Sequence, residues 1–127
     1  MIKFKNETDK ELFFKLHPLL IMVLGDIANY FRDNGKEFLI TATISTLEED
    51  QKLNRVSSSH RTCRAVDVRT NGIDEMFLKN CQNHFNFKYR WLGAVDSYGN
   101  SQLIVYKPHG TGPHFHIQIH GRFAINK

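Results

Sequence analysis

A chain of 127 residues with 41% apolar and 12% aromatic side chains is long enough for one domain with a real core, and too apolar to be disordered. Its net charge of +4 is interspersed along the sequence, with no run of five like charges, which suits anionic partners without choosing among nucleic acid, acidic membrane and cell wall. The longest apolar run, Leu19 to Leu24, is too short for a bilayer, and the opening MIKFKNETDKE lacks the apolar core and cleavage site of a signal peptide, so the expectation is a soluble chain, cytoplasmic as synthesised, with no membrane span.

Thr8-Asp9-Lys10-Glu11 carries the capping-box pattern and predicts a short helix bearing Leu12, Phe13, Phe14 and Leu16. Pro18 interrupts it and opens a second helix to about Asp33, where Leu20, Val23, Leu24, Ile27, Tyr30 and Phe31 recur at helical steps. Asn34-Gly35 ends that helix, because glycine tolerates the left-handed position past a helix terminus. Phe38 to Ile44 is rich in β-branched residues and reads as a strand. Thr46-Leu47-Glu48-Glu49 is a second capping box, opening a short helix to about Asn54, and the serine-rich Arg55 to Thr62 reads as a loop.

Arg64 to Arg69 alternates, with Val66 and Val68 on one side and Ala65, Asp67 and Arg69 on the other. Asn71-Gly72 turns the chain into an amphipathic helix from Ile73 to about Phe87, with Met76, Phe77, Leu78 and Cys81 available for packing. Leu103 to Tyr106 is a strand, Pro108 to Gly112 a turn and His114 to His120 the closing strand. The order α-α-β-α-β-α-β-β predicts one α+β domain over 1–127, with a small, largely antiparallel sheet packed against helices. N-terminal helices would fill 8–34, and a core about 37–120 would follow. Cys63 and Cys81 form no CxxC and read as free thiols. HFNFKYRW, His84 to Trp91, mixes basic and aromatic residues but reads as helix end plus loop, with no nucleic-acid partner expected.

The closing strand carries the chemistry. In PHFHIQIH, Phe115, Ile117 and Ile119 alternate with His114, His116, Gln118 and His120. A solvated strand face ordinarily uses Thr, Lys, Glu or Ser; imidazoles in a row point to metal, proton transfer or both. A catalytic zinc usually takes three ligands from His, Asp and Glu and keeps one position open. Ser58 to Asp67 supplies His60 on a loop and Asp67 on a strand otherwise set for burial, where a carboxylate is costly unless paired or bound to metal.

These residues resemble a known family. SxHxxGxAxD followed by HxH is similar to the zinc peptidases that include D-Ala-D-Ala carboxypeptidases and dipeptidases, phage peptidoglycan endolysins and the hedgehog N-terminal domain. Here the first motif reads Ser58, His60, Cys63, Ala65, Asp67 and the second His114-Phe115-His116, and with TLEEDQKL the likeness spans roughly Phe38 to His120. It implies a hedgehog/D-Ala-D-Ala-peptidase-like fold with Zn2+ held by His60, Asp67 and His116, and His114 beside the metal. Aligning on relatives with a single histidine would make His114 the ligand instead.

Three departures stand out. Cys63 replaces the glycine of the first motif, so the loop there could take a different shape. Ser45-Thr46 stands where many relatives carry an arginine, leaving Arg61 or Arg69 to supply a cation. The acidic general base three residues before the last ligand is missing, since Pro113 or Thr111 stands there. The proton acceptor would then be His114, His109 or Asp96, although Asp96 in VDSYGN also reads as a turn former and His109 as a turn residue. His120, His17 and His84 read as structural or surface residues, and Trp91 and Tyr106 as core.

The resemblance implies a zinc metallopeptidase, carboxypeptidase or endopeptidase, acting on peptidoglycan peptides as a phage or prophage endolysin-like lytic enzyme, favoured as a monomer and reaching the cell wall after release or in a virion. The alternatives are a non-catalytic zinc module of the same fold, favoured by the missing acidic base, and a nucleic-acid binder, favoured by charge alone.

Overall fold

The computed structural model describes residues 2–108 and 112–125. The chain runs β1 (Ile2–Phe4), α1 (Glu7–Leu12), a 3-10 turn (Phe13–Lys15), α2 (Pro18–Asp33), β2 (Phe38–Ala42), α3 (Leu47–Lys52), β3 (Ala65–Arg69), α4 (Glu75–Lys88), β4 (Ala94–Val95), β5 (Ser101–Gln102), β6 (Ile104–Lys107), β7 (His114–Gln118) and a last 3-10 turn (Gly121–Phe123). The expected α+β architecture is present. The main sheet has five strands in the order β1-β2-β3-β7-β6; β1 runs parallel to β2 and the other neighbours are antiparallel. No described helix is long and apolar enough to cross a membrane.

One face of the sheet is the core. Leu20, Val23, Leu24, Ile27 and Phe31 of α2 and Leu78, Cys81 and Phe85 of α4 are buried with Phe38, Ile40, Val66, Val68, Ile104, Phe115 and Ile117. Phe31 meets Phe38 edge-on at 5.0 Å and Phe115 at 6.4 Å, tying the long helix to two strands. Truncating a fully buried phenylalanine of this kind costs about 3–5 kcal/mol. Because strand side chains alternate, burying Val66, Val68, Phe115 and Ile117 sends Asp67, Arg69, His114, His116 and Gln118 to the opposite face. That face holds the site.

Several local expectations change. The first helix starts at Glu7, because Asn6 Oδ1 accepts the Asp9 N–H at 2.9 Å and takes the cap that Thr8 was expected to provide. Asp9 is buried instead, and Oδ1 accepts the Thr43 N–H at 3.0 Å and the Thr43 hydroxyl. The helices therefore occupy Glu7–Asp33, and β1, unseen in the sequence, precedes them. The second capping box forms as written, with reciprocal bonds of 3.1 and 2.9 Å between Thr46 and Glu49. Met76 and Trp91 are exposed rather than packed. The short β4–β5 hairpin lies beside Gly93, where a Cβ would sit 2.7 Å from the Leu103 backbone nitrogen, so only glycine fits that approach.

Candidate metal centre

β3 and β7 pair in register, so Asp67 lies directly opposite His116. The loop after α3 brings His60 over them. His60 is 2% exposed, Asp67 9% and His116 8%, an unusual depth for three polar groups. His60 Nδ1–H donates to the Thr43 carbonyl oxygen at 2.7 Å. A register shift at the end of β2, between Ile40 and Ala42, immediately precedes that carbonyl. The bond commits Nδ1 to Thr43 and leaves Nε2 facing the site, 3.3 Å from Asp67 Oδ1. His116 Nδ1 lies 2.9 Å from the same oxygen, and its Nε2 lies 2.9 Å from Gln118 Oε1 and 3.4 Å from Ser59 Oγ.

The three ligand atoms all lie within 4.8 Å of one another. A tetrahedral metal with nitrogen and oxygen ligands at about 2.0–2.2 Å sets neighbouring ligand atoms about 3.3 Å apart, the edge of a tetrahedron of that size. The separations of 2.9 and 3.3 Å have that scale. Each imidazole also has its second nitrogen facing an oxygen acceptor, Thr43 O or Gln118 Oε1, as metal-binding histidines do. The buried group can hold a metal ion, and it is His116, not His114, that joins His60 and Asp67. Burial pushes the Asp67 carboxyl up, but hydrogen bonds and attraction from His116 and His60 outweigh it and hold Asp67 well below the usual carboxylate range.

Three partners of the site escape sequence reasoning. Gln118 was read only as a polar face residue. Thr43 contributes a backbone carbonyl, which no side-chain pattern reveals. Arg55 arrives through a reversal: Asn54 adopts φ 55, and Arg55 N–H bonds the Asp50 carbonyl at 2.8 Å. Its guanidinium then reaches Asp50 at 3.3 Å and Asp67 Oδ2 at 3.5 Å. Asp50, 1% exposed, also accepts from Ser45 at 2.6 Å and Arg61 at 3.0 Å. Arg61 is thus committed away from the metal group, and Arg55 is the cation that touches Asp67.

A cleft of about 510 Å³ opens over the group, within the range of small-ligand sites, and is walled by Leu53, Arg55, Val56, Lys107 and His114. His114 is half-buried; its Nδ1–H donates to the Gly112 carbonyl at 2.8 Å, which leaves Nε2 able to accept a proton. Asp96 is a correction: Oδ1 accepts the Tyr98 and Asn100 N–H groups at 2.9 Å each, making a hairpin turn, and Asp96 does not line the cleft. Its short acceptor-rich side chain suits that turn. His109 lies outside the described residues. His120 and His17 cap helical turns through their Nδ1 atoms.

Cys63 shows how the expected glycine position works here. It adopts φ 62, the left-handed region, with a buried side chain, and its carbonyl accepts the His17 N–H at 2.9 Å. The backbone turn that glycine would favour is retained by a cysteine. The chain matches no family model, no curated protein and no solved structure.

Proposed function

We propose that the protein is a zinc peptidase acting on peptidoglycan stem or cross-link peptides, in the manner of phage or prophage lytic enzymes. One observation carries it: His60 Nε2, Asp67 Oδ1 and His116 Nδ1 converge while the second nitrogen of each imidazole faces its own oxygen. Two imidazoles and one carboxylate suit zinc and leave a coordination position for substrate chemistry. Bound there, zinc supplies a Lewis acid that polarises a scissile carbonyl and lowers the pKa of water toward ~7.

The chain's own residues do the rest. Thr43 and Gln118 hold the imidazoles in one tautomer. His114, with Nδ1–H committed to Gly112, offers Nε2 to take a proton and return it to the leaving amine. Leu53 and Val56, exposed at the cleft wall, give an extended peptide an apolar edge to lie against.

The second reading is a non-catalytic zinc module. It is favoured by the cleft over the metal group, where Asp67 is the only carboxylate among the described lining residues. Metal analysis of untagged protein, followed by digestion of purified peptidoglycan, tests both. Stoichiometric zinc with digestion supports the enzyme. Zinc without digestion supports the module. Less than about a tenth of an equivalent, with no stabilisation by added zinc, removes both.

A further inference from the structure

The row of residues beside the metal group is basic from strand to strand. Arg69 of β3 pairs with His114 of β7, which pairs in turn with Lys107 of β6. All three share the site face, because they stand two positions from Asp67 and His116 or directly opposite one that does. Lys107 lines the cleft over the metal group, and Arg69 lines its continuation between β2 and β3, together with Lys5, Arg55 and Asn71. The two stretches share Leu53, Arg55, Asp67 and His114, so they form one groove.

Charge in that groove is unbalanced. Its described lining residues carry the cations Lys5, Arg55, Arg69 and Lys107 against the single carboxylate Asp67. Arg55 is already paired with Asp50 and Asp67. Among the described residues Lys5, Arg69 and Lys107 enter no ion pair, although exposed Lys3 and Lys88 and half-buried Lys36 each find one. The undescribed residues add no Asp or Glu side chain. Arg69 and Lys107 flank His114 from the two neighbouring strands, so their charges face the same stretch of groove without pairing with each other.

We infer that the Arg69–His114–Lys107 row is a carboxylate subsite, with Arg69 and Lys107 gripping a substrate carboxylate one or two residues from the bond attacked. The spacing sets that limit. The row lies two strand residues from the Asp67–His116 row, about 7 Å, and an extended peptide advances about 3.3 Å per residue. Arg69 and Lys107 stand two strand spacings apart, about 10 Å, so a carboxylate between them meets both as long flexible side chains close in. The identity of this anion as part of a substrate rests on the peptidase reading; the subsite itself does not.

The test uses whole protein and two probes, an N-acetylated alanine dipeptide with a free C-terminal carboxylate and the same dipeptide amidated. Binding is measured by calorimetry or by histidine resonance shifts, with zinc content determined on the same sample. The acid is expected to bind about tenfold or more tightly than the amide, with the preference shrinking as salt rises. Arg69→Gln and Lys107→Gln should each cut the preference several-fold. The double variant should abolish it while leaving amide affinity and thermal midpoint unchanged.

Equal binding of acid and amide, a preference that survives in the double variant, or no binding of either at about 10 mM each overturns the inference. Inorganic phosphate binding where the peptide acid does not also overturns it, since the subsite would then serve another anion. An acid preference in protein that takes up no zinc leaves the subsite standing and removes the peptidase reading instead.

Discussion

Gln118 stands two residues beyond His116 on the same strand face and places Oε1 2.9 Å from its Nε2, so the ring that turns Nδ1 toward Asp67 is held from behind. Gln118→Leu, close in size but without the acceptor, should weaken zinc about 10–100-fold, the usual effect of losing a partner behind a metal ligand. Competition against a chromogenic chelator measures it. Unchanged affinity would mean that strand geometry alone orients His116.

The two histidines of HxH should separate cleanly. His116→Ala should lose tight metal, because the remaining donors hold it poorly. On the peptidase reading proposed above, His114→Ala should keep stoichiometric zinc and lose about 10²-fold or more in kcat on peptidoglycan peptide, the scale of a lost general base. Zinc lost from His114→Ala and kept in His116→Ala would reverse the assignment.

Cys63 offers a test of backbone strain. Its φ of 62 suits glycine, and its buried side chain opposes removal. Cys63→Gly should therefore stay within about 1 kcal/mol of the parent, as relief of the left-handed penalty offsets lost packing. Cys63→Val should cost about 2 kcal/mol or more, since a β-branched residue is excluded from that region. Urea unfolding of the two variants decides, and equal stability would show that the turn relaxes freely.

Alkaline stability should follow Tyr89. Its hydroxyl donates to Asp26 Oδ2 at 2.6 Å, and burial together with that anion pushes Tyr89 up to about 12. The folded state therefore favours the protonated phenol. That contribution is complete below the ordinary tyrosine value of about 10 and disappears as pH rises through the raised one. Tyr89→Phe should cost ~1 kcal/mol near neutrality, the scale of one hydrogen bond, and should lose less further stability between about pH 10 and 12 than the parent. Parallel losses in both proteins over that interval would assign the alkaline transition to other groups.

The elements that sequence makes legible are those whose signal is local. The heptad-like face of α2, the Thr46–Glu49 box and the alternation of Val66, Asp67 and Val68 all lie within a few neighbouring residues, and the structure forms them. His60, Asp67 and the closing-strand histidines stood out by their chemistry, but the choice of His116 over His114 rested on the resemblance to a family. What escaped was decided at long range. β1 is three residues long and exists by pairing with β2, 36 positions on. Asn6 and Thr8 can both begin a helix, and the choice follows from Asp9 being drawn inward to Thr43. Arg55 depends on a left-handed Asn54. Asp96 could serve a turn or a site, and its two backbone partners in the hairpin decide for the turn.

The metal group also has a folding order written into it. His60 and Asp67 emerge together on one loop and strand, whereas His116 follows Asp67 by 49 positions, after α4 and the small hairpin. Pairing β7 with β3 closes a long stretch of chain, which is the slow kind of event in folding. Until it happens only two donors are present, too few to hold zinc firmly. A metal ion taken up by this group would therefore not seed the fold; it would latch a sheet already assembled, slowing unfolding more than it speeds folding.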